Sequence, residues 1–302
     1  MSRIPGLVVD SGIFILLSVI WGTTWAAIRV ALEGVPPLGG VAVRFALAGT
    51  LLWLLARARG VRLGHNPVER LLWWVQVATT FAGSYTIVYW AEQWVPSALA
   101  AVLFATFPVW ALLLGRWLLP SGAVRRRELA GASVGLAGIL LLFGEDFEVL
   151  SGSGVTQAAS VLLLAPVLSA LGSVAVKRWG QDISPLSITA VPMLWTGAVV
   201  GMLSLFVEGP GRWSWQLKPW LATLYLSFVG SALSFVLYFR LLERRSLFVA
   251  SALALTIPLV AVLVGVVFLK EPWSERMTIG TSCILAGVIL GSWRPVEAAQ
   301  GS

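Results

Sequence analysis

The side chains best placed to meet a solute are aromatic and hydroxyl groups inside long apolar runs. Trp21 and Trp25 bracket the segment Trp21-Gly22-Thr23-Thr24-Trp25. Four residues apart on a helix they share a face, with Thr24 beside Trp21 on the three-residue spacing. Tyr85 and Tyr89 repeat the four-residue spacing after Ser84, and Phe104 and Phe107 follow on the next run. Later runs bring Ser173 after Gly172, then Ser231, Ser234 and Tyr238. Apolar and aromatic walls with a few convergent hydroxyls suit a small amphipathic ligand. Helix packing through small and hydroxyl residues is the other reading of the glycine–serine pairs. Pro108 and Pro258 each sit near the middle of an apolar run. Lacking an N–H, each strips a partner from the carbonyl four residues earlier, on Phe104 and Ala254, so a kink or gating hinge is expected there, or a simple packing feature.

Covalent chemistry finds no foothold. There is one cysteine, Cys283, and one histidine, His65, in a polar turn, with neither an HExxH nor a GxSxG pattern. No catalytic residue, metal site or cofactor is assigned, and an enzyme is not expected. The acidic residues fall at the ends of apolar runs or between them; Glu92 is the nearest candidate for ion coupling. Arg29 and Arg44 are placed at the outer ends of the first two helices. No cation is expected at mid-bilayer, so nothing points to an anionic substrate.

The elements that must position these groups are membrane helices. The chain of 302 residues is 58% apolar and 12% charged, with mean hydropathy +0.87. A soluble core cannot hide that much apolar surface. Ten runs read as spans: 12–31, 38–56, 71–91, 97–118, 128–143, 157–176, 185–207, 219–239, 247–269 and 278–293. The net charge of +7 does not indicate nucleic acid, because the basic residues lie in short turns between runs. With the N-terminus inside, the inner loops hold Arg3, Arg57, Arg59, Arg62, Arg70, Arg116, Arg125, Arg126, Arg127, Lys177, Arg178, Arg240, Arg244, Arg245 and Arg294. The outer loops hold only Arg212, Lys218, Lys270 and Arg276, beside the acidic Glu145, Asp146 and Glu148. Both termini are therefore expected in the cytoplasm. Of the tryptophans, Trp21, Trp25, Trp110 and Trp195 fall at membrane depth and the others near the two interfaces.

The halves of the chain echo each other. At an offset of 150, Ala100/Ala250, Leu103/Leu253, Thr106/Thr256, Pro108/Pro258, Ala111/Ala261 and Gly115/Gly265 repeat; Gly131/Gly280, Ala137/Ala286 and Gly138/Gly287 follow at 149. Five spans per half, an odd number, turn the second half upside down. The expected fold class is thus all-α: ten transmembrane helices in two inverted five-helix repeats, 12–143 and 157–293. That is a recurring device of alternating-access transporters.

The residues Ile20-Trp21-Gly22-Thr23 with Arg29, Pro37, Arg44-Phe45, Ala98 to Pro108 with its copy ending at Pro258, Leu269-Lys270-Glu271-Pro272, and the closing Gly280 to Gly287 resemble the drug/metabolite transporter superfamily with two EamA-type repeats. The first repeat departs from the pattern, reading Leu119-Pro120-Ser121 where the second has Glu271. Within that family the chain looks most like the YddG-type exporters of phenylalanine, tyrosine and tryptophan. The resemblance implies a multi-pass carrier of the bacterial inner membrane, whose partners are a small-molecule substrate and the lipid bilayer, with a monomer as the expected assembly. It also implies a cavity between helices 1, 3, 4, 6, 8 and 9, recruiting Trp21, Tyr85, Phe107 and Ser173. Export of other amino acids or hydrophobic drugs, and a pore-like channel, remain open alternatives.

Overall fold

A computed structural model describes residues 3–120, 123–142, 153–209, 213–268 and 274–293. The acidic group at 145–148 and the segment 269–272 lie outside them. All regular structure among the described residues is helical. It falls into rods that we label α1 (Arg3–Leu32), α2 (Pro37–Ala58), α3 (67–91), α4 (Ser97–Leu118), α5 (Arg126–Leu142), α6 (153–179), α7 (Pro185–Val207), α8 (Leu217–Arg244), α9 (247–268) and α10 (Glu275–Ser292). Six of them are long and apolar enough to cross a membrane: α1, α2, α4, α6, α7 and α8.

Local chemistry sets the starts. Pro37, Pro67 and Pro185 open α2, α3 and α7 at positions where a missing N–H costs nothing. Asn66 caps α3 by accepting from Val68 N at 2.9 Å, and Ser274 caps α10 by accepting from Met277 N at 3.2 Å. Helix α1 begins well before its apolar run, so Asp10 lies inside it, buried, and pairs with Arg245 at 2.7 Å and Arg244 at 3.6 Å on α8 and the turn after it.

The proline-bearing rods break unequally. In α4 the helix stops at Phe104 and resumes at Phe107, so Pro108 opens the second segment rather than kinking a continuous one. Thr106 assists: its hydroxyl donates to Leu103 O at 2.9 Å. In α9 the break falls at Ala252, between Leu247–Ser251 and Leu253–Phe268, and Pro258 sits inside the longer segment. The two prolines therefore do not mark equivalent breaks.

Two wider turns appear that hydrophobic periodicity does not reveal. Residues Val77–Ser84 of α3 and Phe228–Leu233 of α8 are π-helical, about one repeat apart in sequence. Hydroxyls bonded back to the helix support them: Thr79 to Val75 O at 2.6 Å, Ser227 to Thr223 O at 2.7 Å and Ser234 to Val229 O at 2.7 Å. Such turns expose backbone groups and recur at functional sites.

Glycine draws α5 against α10. A Cβ on Gly131 would lie 2.5 Å from Gly287 O, and one on Gly138 would lie 2.7 Å from Gly280 O. The contacts 131 with 287 and 138 with 280 require the two rods to run antiparallel. Helices α2 and α7 do the same: Gly49 faces Leu194 and Gly197 faces Ala46. Lipid gives no hydrophobic drive between helices, so close packing of small residues carries these joints.

Candidate functional site: an aromatic chamber between six helices

Six rods converge on one space. Trp21, Thr24, Trp25 and Ile28 come from α1, and Thr80, Ser84, Tyr85 and Val88 from α3. Phe104 and Phe107 come from α4, Ser169 and Ser173 from α6, Phe235 and Tyr238 from α8, and Leu253, Ala254 and Ile257 from α9. The rings form a connected wall. Trp21 lies 5.5 Å from Phe235 and 5.3 Å from Tyr238 between centroids, Tyr85 lies 6.0 Å from Phe235, and Trp25 and Phe107 flank Phe104 at 5.5 and 5.9 Å. Tilted and edge-on contacts of this kind hold rings in fixed orientations.

The wall's polar groups are mostly engaged. Ser173 and Tyr238 share a hydrogen bond at 2.9 Å, Ser169 donates to Ser84 at 2.9 Å, and the Thr24 hydroxyl donates to Trp21 O at 2.8 Å. Of the rest, the Trp21 indole N–H and the Thr80 hydroxyl are fully buried without partners among the described residues. The cavity measures about 70 Å³. Ligand pockets for small molecules run to roughly 300–1,000 Å³, so the chamber is contracted and must widen to admit a solute. A second space of about 700 Å³ opens at the end of the molecule where α1 begins, among Asp10, Arg125, Arg127, Glu128 and Arg245. No residue lines both.

Of the residues singled out in the sequence, Trp21, Thr24, Trp25, Ser84, Tyr85, Phe104, Phe107, Ser173 and Tyr238 line the chamber. Tyr89, Ser231 and Ser234 do not. Tyr89 turns to α2, where a Cβ on Gly40 would lie 2.8 Å from its ring. Ser231 accepts from Arg44 Nε at 2.7 Å. Pro108 and Pro258 are buried outside the lining. Of the four tryptophans placed at depth, Trp110 and Trp195 face outward, 39% and 45% exposed; Trp195 lies beside Trp74. Phe235, Thr80, Ser169 and the aliphatic groups of α9 were not read from the sequence. Phe235 could have been found, since it stands three residues before Tyr238 and at the repeat position of Tyr85.

Arg44, expected at the outer end of α2, is covered by neighbouring helices. Arg44 is 0% exposed. It is the eighth residue of α2, about 10 Å from the start of the helix. Its Nη2 donates to Gly230 O at 3.2 Å, and its Cζ lies 4.6 Å from the centroid of the Tyr85 ring. Counting charges by loop assigned it to the interface because it stands close to Pro37 in sequence. Glu92, in the turn after α3, is also buried. Burial pushes its carboxyl well above the usual carboxylate range, against the hydrogen bond from Ser97 and the charges of Arg29 and Arg44. Arg29 donates to the Glu92 backbone carbonyl, not to its carboxylate. Among the described residues no three His, Cys, Asp or Glu side chains stand together as a metal site would need.

Known proteins share this architecture. A solved crystal structure superposes with a TM-score of 0.78 at 21% identity, over 94% of this chain and 96% of the other, which speaks to fold alone. The inner membrane transporter YedA of Escherichia coli (strain K12), itself uncharacterized, is 31% identical over 92% of this chain and 89% of its own length. Protein PagO of Salmonella typhimurium is 29% identical over 83% and 82%, and a probable amino-acid metabolite efflux pump of Salmonella typhimurium is 26% identical over 93% and 94%. The EamA-like transporter family model matches twice, at residues 11–144 and 156–293. This membrane chain belongs to the EamA-like transporter family.

Proposed function

We propose that the protein is a secondary transporter that exports small aromatic or amphipathic metabolites, aromatic amino acids among them, across the bacterial inner membrane by alternating access. In this reading all ten rods cross the bilayer, as inverted five-helix units over 12–143 and 157–293, with both termini in the cytoplasm. The observation that carries the substrate class is the chamber itself. Seven aromatic rings close around it, and an indole N–H and a hydroxyl in its wall are buried without partners. A ring-bearing solute gains stacking and edge contacts there, while its polar end finds few but fixed partners. The antiparallel contacts of α5 with α10 and of α2 with α7 support the inverted arrangement, which lets one set of helices rock against another around a fixed site. Trp21, Thr24, Tyr85, Phe104, Phe107, Ser173 and Tyr238 are the residues expected to meet the solute. The break of α4 just before Pro108, and in α9 the break at Ala252 with Pro258 beyond it, are the candidate hinges.

Flux in reconstituted liposomes tests this. Tryptophan should move faster than threonine or methionine, and preloaded unlabelled tryptophan should accelerate tracer uptake. Equal rates for all three remove the aromatic preference; acceleration that fails to appear points to a pore. The likeness to the probable amino-acid metabolite efflux pump of Salmonella favours a second reading, in which amino acids are exported without regard to aromatic character.

A further inference from the structure

Arg44 is out of keeping with everything else at its depth. A buried charge is costly unless paired, and inside a membrane protein such a group usually marks a solute path. No carboxylate pairs with Arg44 among the described residues: the ion pairs there are Lys218–Glu33 and those of Asp10. Its nearest acid in field terms is Glu92, which burial favours in the neutral form. What holds the guanidinium is the Ser231 hydroxyl, the Gly230 carbonyl and the face of Tyr85, with the hydroxyls of Tyr85 and Tyr89 also interacting with it; Nη1 makes no hydrogen bond of ordinary geometry.

Its position relative to the chamber is specific. Tyr85 lines the chamber on one face and carries Arg44 on another. Gly230 stands between the guanidinium and Thr24, a second lining residue. A Cβ there would lie 3.5 Å from Arg44 Nη2 and 2.9 Å from the Thr24 methyl. The absence of a side chain at 230 thus leaves the charge one thin layer behind the wall. At that range, in low dielectric, an unneutralised guanidinium biases a solute's charge strongly.

We propose that Arg44 is the chamber's anion-recognising group, so that the site takes solutes bearing a carboxylate and turns away organic cations of the same shape. This rests on the reading of the chamber as a solute site and adds a charge class to it. A helix-tethering role alone, α2 to the π-turn of α8, would leave binding blind to the solute's charge.

Matched pairs decide the matter. Binding to the purified full-length protein is measured for tryptophan against tryptamine and for leucine against isopentylamine; each pair differs only by the carboxylate. The acid-bearing member should bind about tenfold tighter or more, as expected for the field of a buried charge one layer behind the wall in low dielectric. Arg44→Gln should bring both ratios close to one, and Arg44→Lys, which keeps the charge without the fork, should leave an intermediate ratio. A wild-type ratio near one overturns the assignment, as does a folded Arg44→Gln protein with the ratio unchanged. If Arg44→Gln does not fold, the wild-type and Lys ratios still decide. A carboxylate preference in both pairs with leucine binding as well as tryptophan sinks the aromatic reading and leaves Arg44 standing. Tryptophan preferred over leucine with no carboxylate effect does the reverse. Binding of none of the four overturns the assignment.

Discussion

The first and second halves of the chain agree where they bear on one another and differ where they face the chamber. At the joints the match is close. Gly131 and Gly138 meet Gly287 and Gly280 in reciprocal fashion, and the π-turns of α3 and α8 fall at corresponding places. At the chamber the halves part. Tyr85 and Tyr89 in α3 stand where Phe235 and Phe239 stand in α8. Arg44 lies seven residues after the proline that opens α2; seven residues after the proline that opens α7 is Pro192. The α4 break lies just before Pro108, whereas the α9 break lies well before Pro258. A duplicated scaffold conserves what makes two bodies fit. It is free to diverge where a solute, which has no two-fold symmetry, must be gripped.

That contrast can be broken most forcefully at the joints. Gly131→Leu or Gly287→Leu forces a side chain into a backbone already in contact, and should cost about 3 kcal/mol or more in unfolding measurements. Gly154→Leu, where nothing lies within 4 Å, should cost little. Equal effects at all three would mean the α5–α10 joint carries no load. In the chamber the order should invert, with solute binding suffering more than folding. Phe107→Ala and Tyr85→Ala should weaken tryptophan binding by about 2 kcal/mol each, the worth of a lost aromatic wall, read by titration of the purified protein. Unfolding temperatures that fall with no change in affinity would return these rings to plain packing. A smaller effect is expected at Ser173→Ala, which leaves the Tyr238 hydroxyl buried without its 2.9 Å partner; about 1 kcal/mol of affinity should be lost. The smallest is at Glu92→Gln, an isostere of the neutral acid. Its carboxyl titrates higher in the folded state than in the unfolded one. The wild-type protein should therefore lose stability as pH rises through and above the ordinary carboxylate range, and the Gln variant should not follow it. Parallel curves would show that Glu92 stays charged.

Much of the scaffold could be read from the sequence because lipid imposes a length and a composition on every span. The predicted runs 97–118 and 185–207 coincide with α4 and α7, and the others shift by a few residues at most ends. The shift is largest at α1, since a helix does not stop where hydropathy does. Nine chamber residues were legible because aromatic and hydroxyl groups at helical spacing stand out in aliphatic runs. Tyr89 and Ser231 share that signature yet point elsewhere. Ser231 lies inside the π-turn of α8, where spacing rules that assume an unbroken register fail, whereas Tyr89 shares one α-helical segment with Tyr85 and is packed against Gly40 of α2. The burial of Arg44 was missed for a related reason: charge counting uses distance along the chain from a turn and does not see that another helix covers the side chain. Trp110 and Trp195 show the converse, since depth in the membrane does not say which way a ring faces.

The most direct measurement places a small thiol in the chamber. Ala254→Cys, in a Cys283→Ala background, adds one sulfur to the lining with little change of volume. Its reaction with a membrane-permeant thiol reagent should slow as tryptophan is added, with half-protection at the concentration that half-saturates flux. Labelling that proceeds at one rate while flux saturates would contradict the account, because the solute would then be crossing somewhere other than the space these helices enclose.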